Sequence, residues 1–577
     1  MRRSFLSELV SPEGLADSLL TVEFQDMLLN LEPVSLEETI DKIANSTLIH
    51  LKDGIERFVG LLHLAVKIRS SKIVLYVSLI KQLKKFKGFE KLGQHLLFPI
   101  SKDDCFNRYR LSFLYNLLIQ NAFAPEEVLP LVKNFILSNR IEPFAQTLLF
   151  FWFSPFLYKL EPELFKRIET EIAPSLDPQF DELLSIFDQL SSNDFEGMKK
   201  VLEIGHISNS VEAIIKKDDI DTFQKIVELP HYVSRSNFEC SEFLRREISL
   251  LEFSAFCGSI HCFTYLINSP EYQKKLNTND KTSLKQQYSI VDAAVAGANS
   301  EIIKICDEYG CVFTKSSLQN AIQFHHFHIF HWILHEKITK TDSQHESQNQ
   351  TKNPTSNRHS NDISINDHKQ NSNLVSNQVS NHVSQIDKQY LFSFAAKVNN
   401  IHILYFCIEQ GLDVNGMDRN NAAPIHYAAM SNDIEALKFL LSVKNIDVNI
   451  KNGSNQTPLL IAASNGNVNA FKLLLKQPTI DVNAKGGKDQ TPPLLEAVKY
   501  VEMLREILKC PEIEINAKDI IQETALHKAA LFNNIDSMKI LLENPDVDVN
   551  CHDAYGVSKF SLIIHLYIMQ QIMSMLK

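Results

Sequence analysis

One period runs through the last third of this chain. Ala423-Pro424-Ile425-His426, Thr457-Pro458-Leu459-Leu460, Thr491-Pro492-Pro493-Leu494 and Thr524-Ala525-Leu526-His527 begin 34, 34 and 33 residues apart. A second marker keeps the same step: Asp413-Val414-Asn415, Asp447-Val448-Asn449, Asp481-Val482-Asn483, Glu514-Ile515-Asn516 and Asp548-Val549-Asn550 are spaced by 34, 34, 33 and 34. Two independent markers on one beat indicate a helical solenoid. Each unit of such an array buries its apolar face only against its neighbours and leaves a long outer surface free for binding.

The full chain of 577 residues is too long for one core. Its formal charge of −11 is mild over that length, and Lys and Arg are not concentrated enough to indicate nucleic-acid binding. Only 17 glycines are present, and neither GxGxxG nor GxxxxGK followed by Ser or Thr occurs. GxSxG, HExxH and a kinase signature set are also missing. Nine scattered cysteines without a CxxC pair imply reduced thiols and a cytoplasmic or nuclear setting. The start of the chain lacks the apolar run of a secretory signal. Phe144 to Leu160 and Ser561 to Leu576 are apolar, but polar residues interrupt both, so they are expected to be buried in protein.

Residues 1–192 show helical spacing without a fixed period and are expected to form an irregular helical leader. Ser35-Leu36-Glu37-Glu38 has capping-box spacing, and Ala124-Pro125-Glu126-Glu127 reads as a helix start. Over 193–338 looser helix pairs are expected, with second helices opening at Ile220, Ile260, Ser300 and Phe327. Residues 339–388 are rich in Ser, Asn, Gln and His and have too little apolar surface to offset ordering entropy, so they are expected to be a disordered insert. The regular array follows over 389–577, with units at 413–446, 447–480, 481–513 and 514–547 and a partial one at 548–577.

Thr524-Ala525-Leu526-His527-Lys528-Ala529-Ala530 and Thr457-Pro458-Leu459-Leu460-Ile461-Ala462-Ala463 resemble the ankyrin repeat. The positions make physical sense. Thr can cap the first helix, Pro loses no hydrogen bond in a first turn, and paired Ala allows close helix approach. The layout also resembles the large ankyrin families of protozoa such as trichomonads, in which a helical leader and degenerate repeats precede regular ones. The ankyrin resemblance implies an all-α solenoid whose hairpin fingers and concave first-helix face bind a protein partner.

Carried onto matching positions, the fingers comprise Met417, Arg419 and Asn420; Lys451, Ser454 and Asn455; Lys485, Lys488 and Asp489; Lys518, Ile520 and Ile521; and His552 and Tyr555. The basic members suggest a partner with an acidic patch. Ile520-Ile521 at a fingertip is the sharpest hint of contact. The chain also departs from the pattern: the turn motif D-x-x-G-x-T survives only around Asp553, and Glu496-Ala497-Val498 stands where the Ala pair belongs, so the repeat at 483–515 is expected to be strained or locally mobile.

Three features offer other chemistry. His328, His331 and His335 share a helix face, with His325 and His326 adjacent, but the segment matches a repeat helix and is expected to be a polar face without metal. Lys81, Lys84, Lys85, Lys87 and Lys91 could hold an anionic surface, which with the apolar C-terminus makes a peripheral membrane scaffold the alternative reading. Asp218-Asp219 and Glu37-Glu38 read as first-turn acids. No catalytic set, cofactor or nucleic-acid partner is expected, and an enzyme with its activity in the leader is the least favoured reading.

Overall fold

The computed structural model describes residues 10, 12–51, 53–69, 72–97, 108–136, 143–172, 210–226, 233–234, 248–270, 281–338, 388–431 and 433–554, with isolated positions over 191–202 and at 272–273. The insert expected at 339–388, apart from Lys388, lies outside these, as do Tyr555 and Ser561 to Leu576. By internal contacts the chain divides into residues 22–354 and residues 1–21 with 355–577. Among the described residues the fold is all-α apart from one short antiparallel pair, Val233–Ser234 with Ile248–Ser249.

In the first of these units, helices Gly54–Ile68, Ile73–Leu83 and Arg108–Ile119 bury Phe58, Leu62, Tyr76, Leu79 and Phe113. The apolar helix Pro143–Leu160 carries Pro155 and lies in protein as expected: Trp152, Phe153 and Leu157 are fully buried, and Tyr115 meets Trp152 edge-on at 5.9 Å. Glu127 Oε2 accepts from Ala124 N–H at 2.7 Å, so that predicted helix start holds. The capping box at Ser35 does not form. Ser35 ends a 3-10 turn, Pro33–Ser35, and its hydroxyl donates to Glu32 O and accepts from Glu32 N–H, so it is turned back into that turn and makes no cap bond to the helix. All five lysines of the basic run are exposed, and two of them, Lys81 and Lys84, donate to the carbonyls of Gln120 and Ala122, just past the helix Arg108–Ile119, where unpaired carbonyls favour cations.

Further along, helices do begin at Ile220, Ile260, Ser300 and Phe327. Their pairs are joined by a recurring clasp. The residue capping a second helix reaches back to a carbonyl at the end of the preceding pair's first helix. Ser259 Oγ donates to Ile215 O at 2.6 Å, Asn299 Nδ2 reaches Gly258 O at 3.5 Å, and His326 Nε2 reaches Ala296 O at 3.1 Å. The regular array repeats it, with Asn467 Nδ2 donating to Ala429 O and Asn534 Nδ2 to Val498 O, both at 2.9 Å. A helix ends with unpaired carbonyls, and a polar side chain from the next unit satisfies one of them while setting the stacking distance.

The array itself consists of helix pairs Lys388–Lys397 with Ile401–Glu409, Pro424–Met430 with Glu435–Ser442, Pro458–Asn465 with Val468–Leu475, Pro493–Ala497 with Val501–Ile507, and Ala525–Leu531 with Ile535–Leu542. Ala395 and Ala396, Ala428 and Ala429, and Ala462 and Ala463 are fully buried, as close first-helix packing requires. At Ala497 and Val498 the bulkier pair is also buried, but that first helix is only five residues long. Residues 1–21, inside the leader as drawn from sequence, group with this unit: Val10 bridges antiparallel to Val443, and Thr21 Oγ1 lies 3.4 Å from Glu435 Oε2.

Candidate functional site: the ankyrin fingers and first-helix face

Three of the fingers are each built by one side-chain acceptor. Asp418 Oδ1 accepts from the N–H groups of Asn420 and Ala422, at 2.8 and 3.1 Å, while Asp418 N–H donates to Ala422 O. Asn452 does the same for Ser454 and Gln456, and Asp519 for Ile521 and Glu523. The missing glycine of the turn motif is replaced by residues that accept the left-handed conformation, Asn421 at φ 52°, Asn455 at φ 60° and Gln522 at φ 62°. Asn tolerates this region because its short amide bonds locally; Gln does so less readily. The finger at 486–491 has no such acceptor and uses Gly486 and Thr491, which exchange both backbone bonds across Gly487 at φ 73°.

The Asn of each of the first four markers, Asn415, Asn449, Asn483 and Asn516, ties one repeat to the next. Asn415 Nδ2 donates to Asn445 O and its Oδ1 accepts from Asp447 N–H, at 2.8 and 2.9 Å. Asn449 links likewise to Thr479 and Asp481, Asn483 to Glu512 and Glu514, and Asn516 to Asp546 and Asp548. An amide side chain carries one donor and one acceptor in the layout of a peptide group, so it acts as an added rung between loops. Asn449→Ala removes two such bonds at a partly exposed site. The expected result is a loss of about 1–2 kcal/mol, read as faster exchange of the Asp481 amide, with amides of residues 525–531 unchanged. Unaltered exchange at Asp481 would show the ladder to be incidental.

Among the described residues, some of the predicted finger residues already have work within the array. Lys451 Nζ donates to Lys485 O and Lys485 Nζ to Lys518 O, at 3.1 and 2.7 Å, and Arg419 stands 4.4 Å over the Tyr390 ring. Asn420 bonds to the Tyr427 hydroxyl, and the Asp489 carbonyl accepts from Ile520 N–H. Ser454, Asn455, Lys488 and His552 are exposed, whereas Lys518 and Ile521 are half-buried. Ile520 is 58% exposed and Met417 41%. Sequence reasoning missed the apolar residues ending the first helices, Met430, Leu531 and Phe532, all exposed. Their signal was available, since each stands one or two places beyond the buried Ala pair.

The first helices start less uniformly than the motif implies. Thr457 Oγ1 accepts from Leu460 N–H as expected. At Ala423 the cap role passes to His426, whose Nδ1 accepts from Ala423 N–H at 3.0 Å while Nε2 meets Ile450 O of the next loop at 3.0 Å. At Thr524 the hydroxyl turns to His527 Nδ1 at 2.8 Å instead of capping. Burial holds the His426 pKa below the usual histidine value against these backbone bonds. None of this resembles a reacting centre, and among the described residues no cluster of three His, Cys, Asp or Glu could hold a metal ion.

Stacked helix pairs, Asp-built fingers and an Asn ladder define an α-solenoid of the finger-bearing kind. Family models described as ankyrin repeats (many copies) match residues 392–441 and 425–475, and one described as ankyrin repeat matches 522–551. The chain carries ankyrin repeats within residues 392–551. The unit at 481–513 falls between these matches, in the stretch carrying Pro492 and the short helix Pro493–Ala497. Ankyrin repeats generally mediate protein–protein interaction. Among curated proteins none matches this chain. Among the described residues no helix is long and apolar enough to cross a membrane.

Proposed function

We propose that this protein is a non-enzymatic scaffold or adaptor that binds a protein partner through its ankyrin fingers and concave first-helix face, in the cytoplasm. The observation that carries this reading is the set of large apolar side chains left exposed along that surface: Met417 and Ile520 on fingers, and Met430, Leu531 and Phe532 at first-helix ends. Scattered exposed apolar residues are ordinary, but a β-branched fingertip beside a series of exposed helix ends is a recognition pattern. Lys451, Lys485 and Lys488 keep the finger edge basic and exposed, which favours a partner with an acidic patch.

Ile520→Asp in the full chain tests this by affinity capture from the native cell, with Lys539→Glu on a second helix as the control. Ile520 is the better position because Ile521 is half-buried and its carbonyl accepts from Ala554 N–H. A partner kept by wild type and Lys539→Glu but weakened at least tenfold by Ile520→Asp supports the reading; hot-spot truncations commonly cost about 2 kcal/mol or more. Equal capture by all three would remove the fingers from the interface.

A further inference from the structure

Cys306 and Cys311 bracket the end of the helix Ser300–Glu308. Gly310 N–H donates to Asp307 O at 3.0 Å and Cys311 N–H to Cys306 O at 2.9 Å, and Gly310 sits at φ 71°. This pair of bonds around a left-handed glycine is a Schellman ending, which presses the third residue from the helix end against the second residue beyond it. That contact is ordinarily apolar. Here it brings together two cysteines, 0% and 6% exposed.

We propose that Cys306 and Cys311 are a redox-active dithiol that a hydroperoxide closes into a disulfide across this helix ending. The backbone bond between the two residues holds their Cα atoms together, the first geometric requirement of a disulfide. Each thiol's influence on the other, more than burial, pushes Cys306 up and eases Cys311 below the usual thiol value. Cys262, Cys407, Cys510 and Cys551 are all pushed the other way, chiefly by burial.

Cys311, at 6% exposure the more accessible of the two, is the attacking sulfur. Its thiolate takes one peroxide oxygen, the O–O bond breaks, and Cys311 becomes a sulfenic acid while the other oxygen leaves with a proton as water or an alcohol. Cys306 then attacks the sulfenic sulfur; the S–S bond forms, the S–O bond breaks, and hydroxide leaves with the Cys306 proton as water. Two thiols supply the two electrons that reduce the peroxide. The product fastens the turn that leads into the helix Lys315–Gln323.

The test uses the reduced full chain, exposed to hydrogen peroxide, alkylated and digested for mass spectrometry. The expected peptide spanning Cys306 and Cys311 is two hydrogens lighter, unalkylated and restored by dithiothreitol. Cys306→Ser should instead leave a sulfenic acid at Cys311 that dimedone traps. Alkylation of both residues in oxidised wild type, while the more exposed Cys257 or Cys551 has reacted, overturns the proposal. So does a disulfide from Cys311 to any other cysteine. The wild-type measurement decides the matter even if the variant folds poorly.

Discussion

Lys528→Met should destabilise the repeat at 514–547 by about 3 kcal/mol, the lower end of the cost of stripping a buried carboxylate of its partner. Lys528 Nζ lies 2.9 Å from Asp519 Oδ2 and 2.6 Å from Glu523 Oε2, and those two side chains are 0% and 7% exposed. Asp519 also builds the fingertip that presents Ile520, so the ion pairs underpin the recognition surface. Lys528 is itself 18% exposed, which is why the lower figure applies. Burial opposes its charge, but bonds and attraction from Glu523 and Asp519 outweigh that and raise its pKa above the usual lysine value. The sign follows: this stabilisation is complete at neutral pH and fades only as pH rises above the lysine range. Native-state hydrogen exchange is the suitable measurement, since a repeat array opens locally. Amides of Ala525–Leu531 should exchange roughly 100-fold faster, and adding Glu523→Gln should recover part of the loss. A change below about 0.5 kcal/mol would mean that water already supports the carboxylates.

Acid should unfold residues 22–354 through buried neutral histidines. His326 is held between Arg69 Nη2, 3.0 Å from its Nδ1, and Ala296 O on its Nε2. Nδ1 must accept from the guanidinium, which leaves the proton on Nε2 for the carbonyl and makes the ring neutral. Burial first, then the Arg69 charge, lowers its pKa to about 3. His63 is lowered to about 3 by burial and by Arg110; its Nε2 is shut off from solvent although the residue as a whole is half-buried. A depressed histidine is unprotonated when folded but takes up a proton near pH 6.5 when unfolded, so stability falls as pH drops below that value. At about 1.4 kcal/mol per pH unit, His326 alone removes about 2 kcal/mol between pH 7 and pH 5. His63 adds in the same direction, and His426 does so within the ankyrin array. Urea unfolding at the two pH values measures the slope, and His326→Gln should flatten it while lowering stability at pH 7. A wild-type midpoint that does not move would show these rings to be charged or solvated in the fold.

The predicted polar His face therefore divides. His326 is a clasp between repeats. His331 and His335 lie on the outer side, with ring centroids 4.3 Å apart. The i, i+3, i+7 pattern was visible in sequence, but the residue with a structural role stood outside it. Only packing shows that His326 replaces the Asn of other clasps, because its equivalence to Asn299 and Asn467 depends on where the preceding helix ends. The same limit applies to Arg69, whose partners Phe324 O and His326 are about 255 residues away along the chain.

The period by itself determined the solenoid, because only a stacked unit can use an apolar pattern that repeats every 33 or 34 residues. It also determined the helix pairs and the edge on which the fingers stand. Tertiary structure decided which finger residues remain free, since Lys451 and Lys485 look alike in sequence to Lys488 and differ only in reaching the next loop. It also decided that Val10 belongs with the repeats and that two cysteines meet at a helix end. Periodicity encodes contacts between equivalent neighbours, whereas these contacts join non-equivalent positions and depend on how each helix happens to stop.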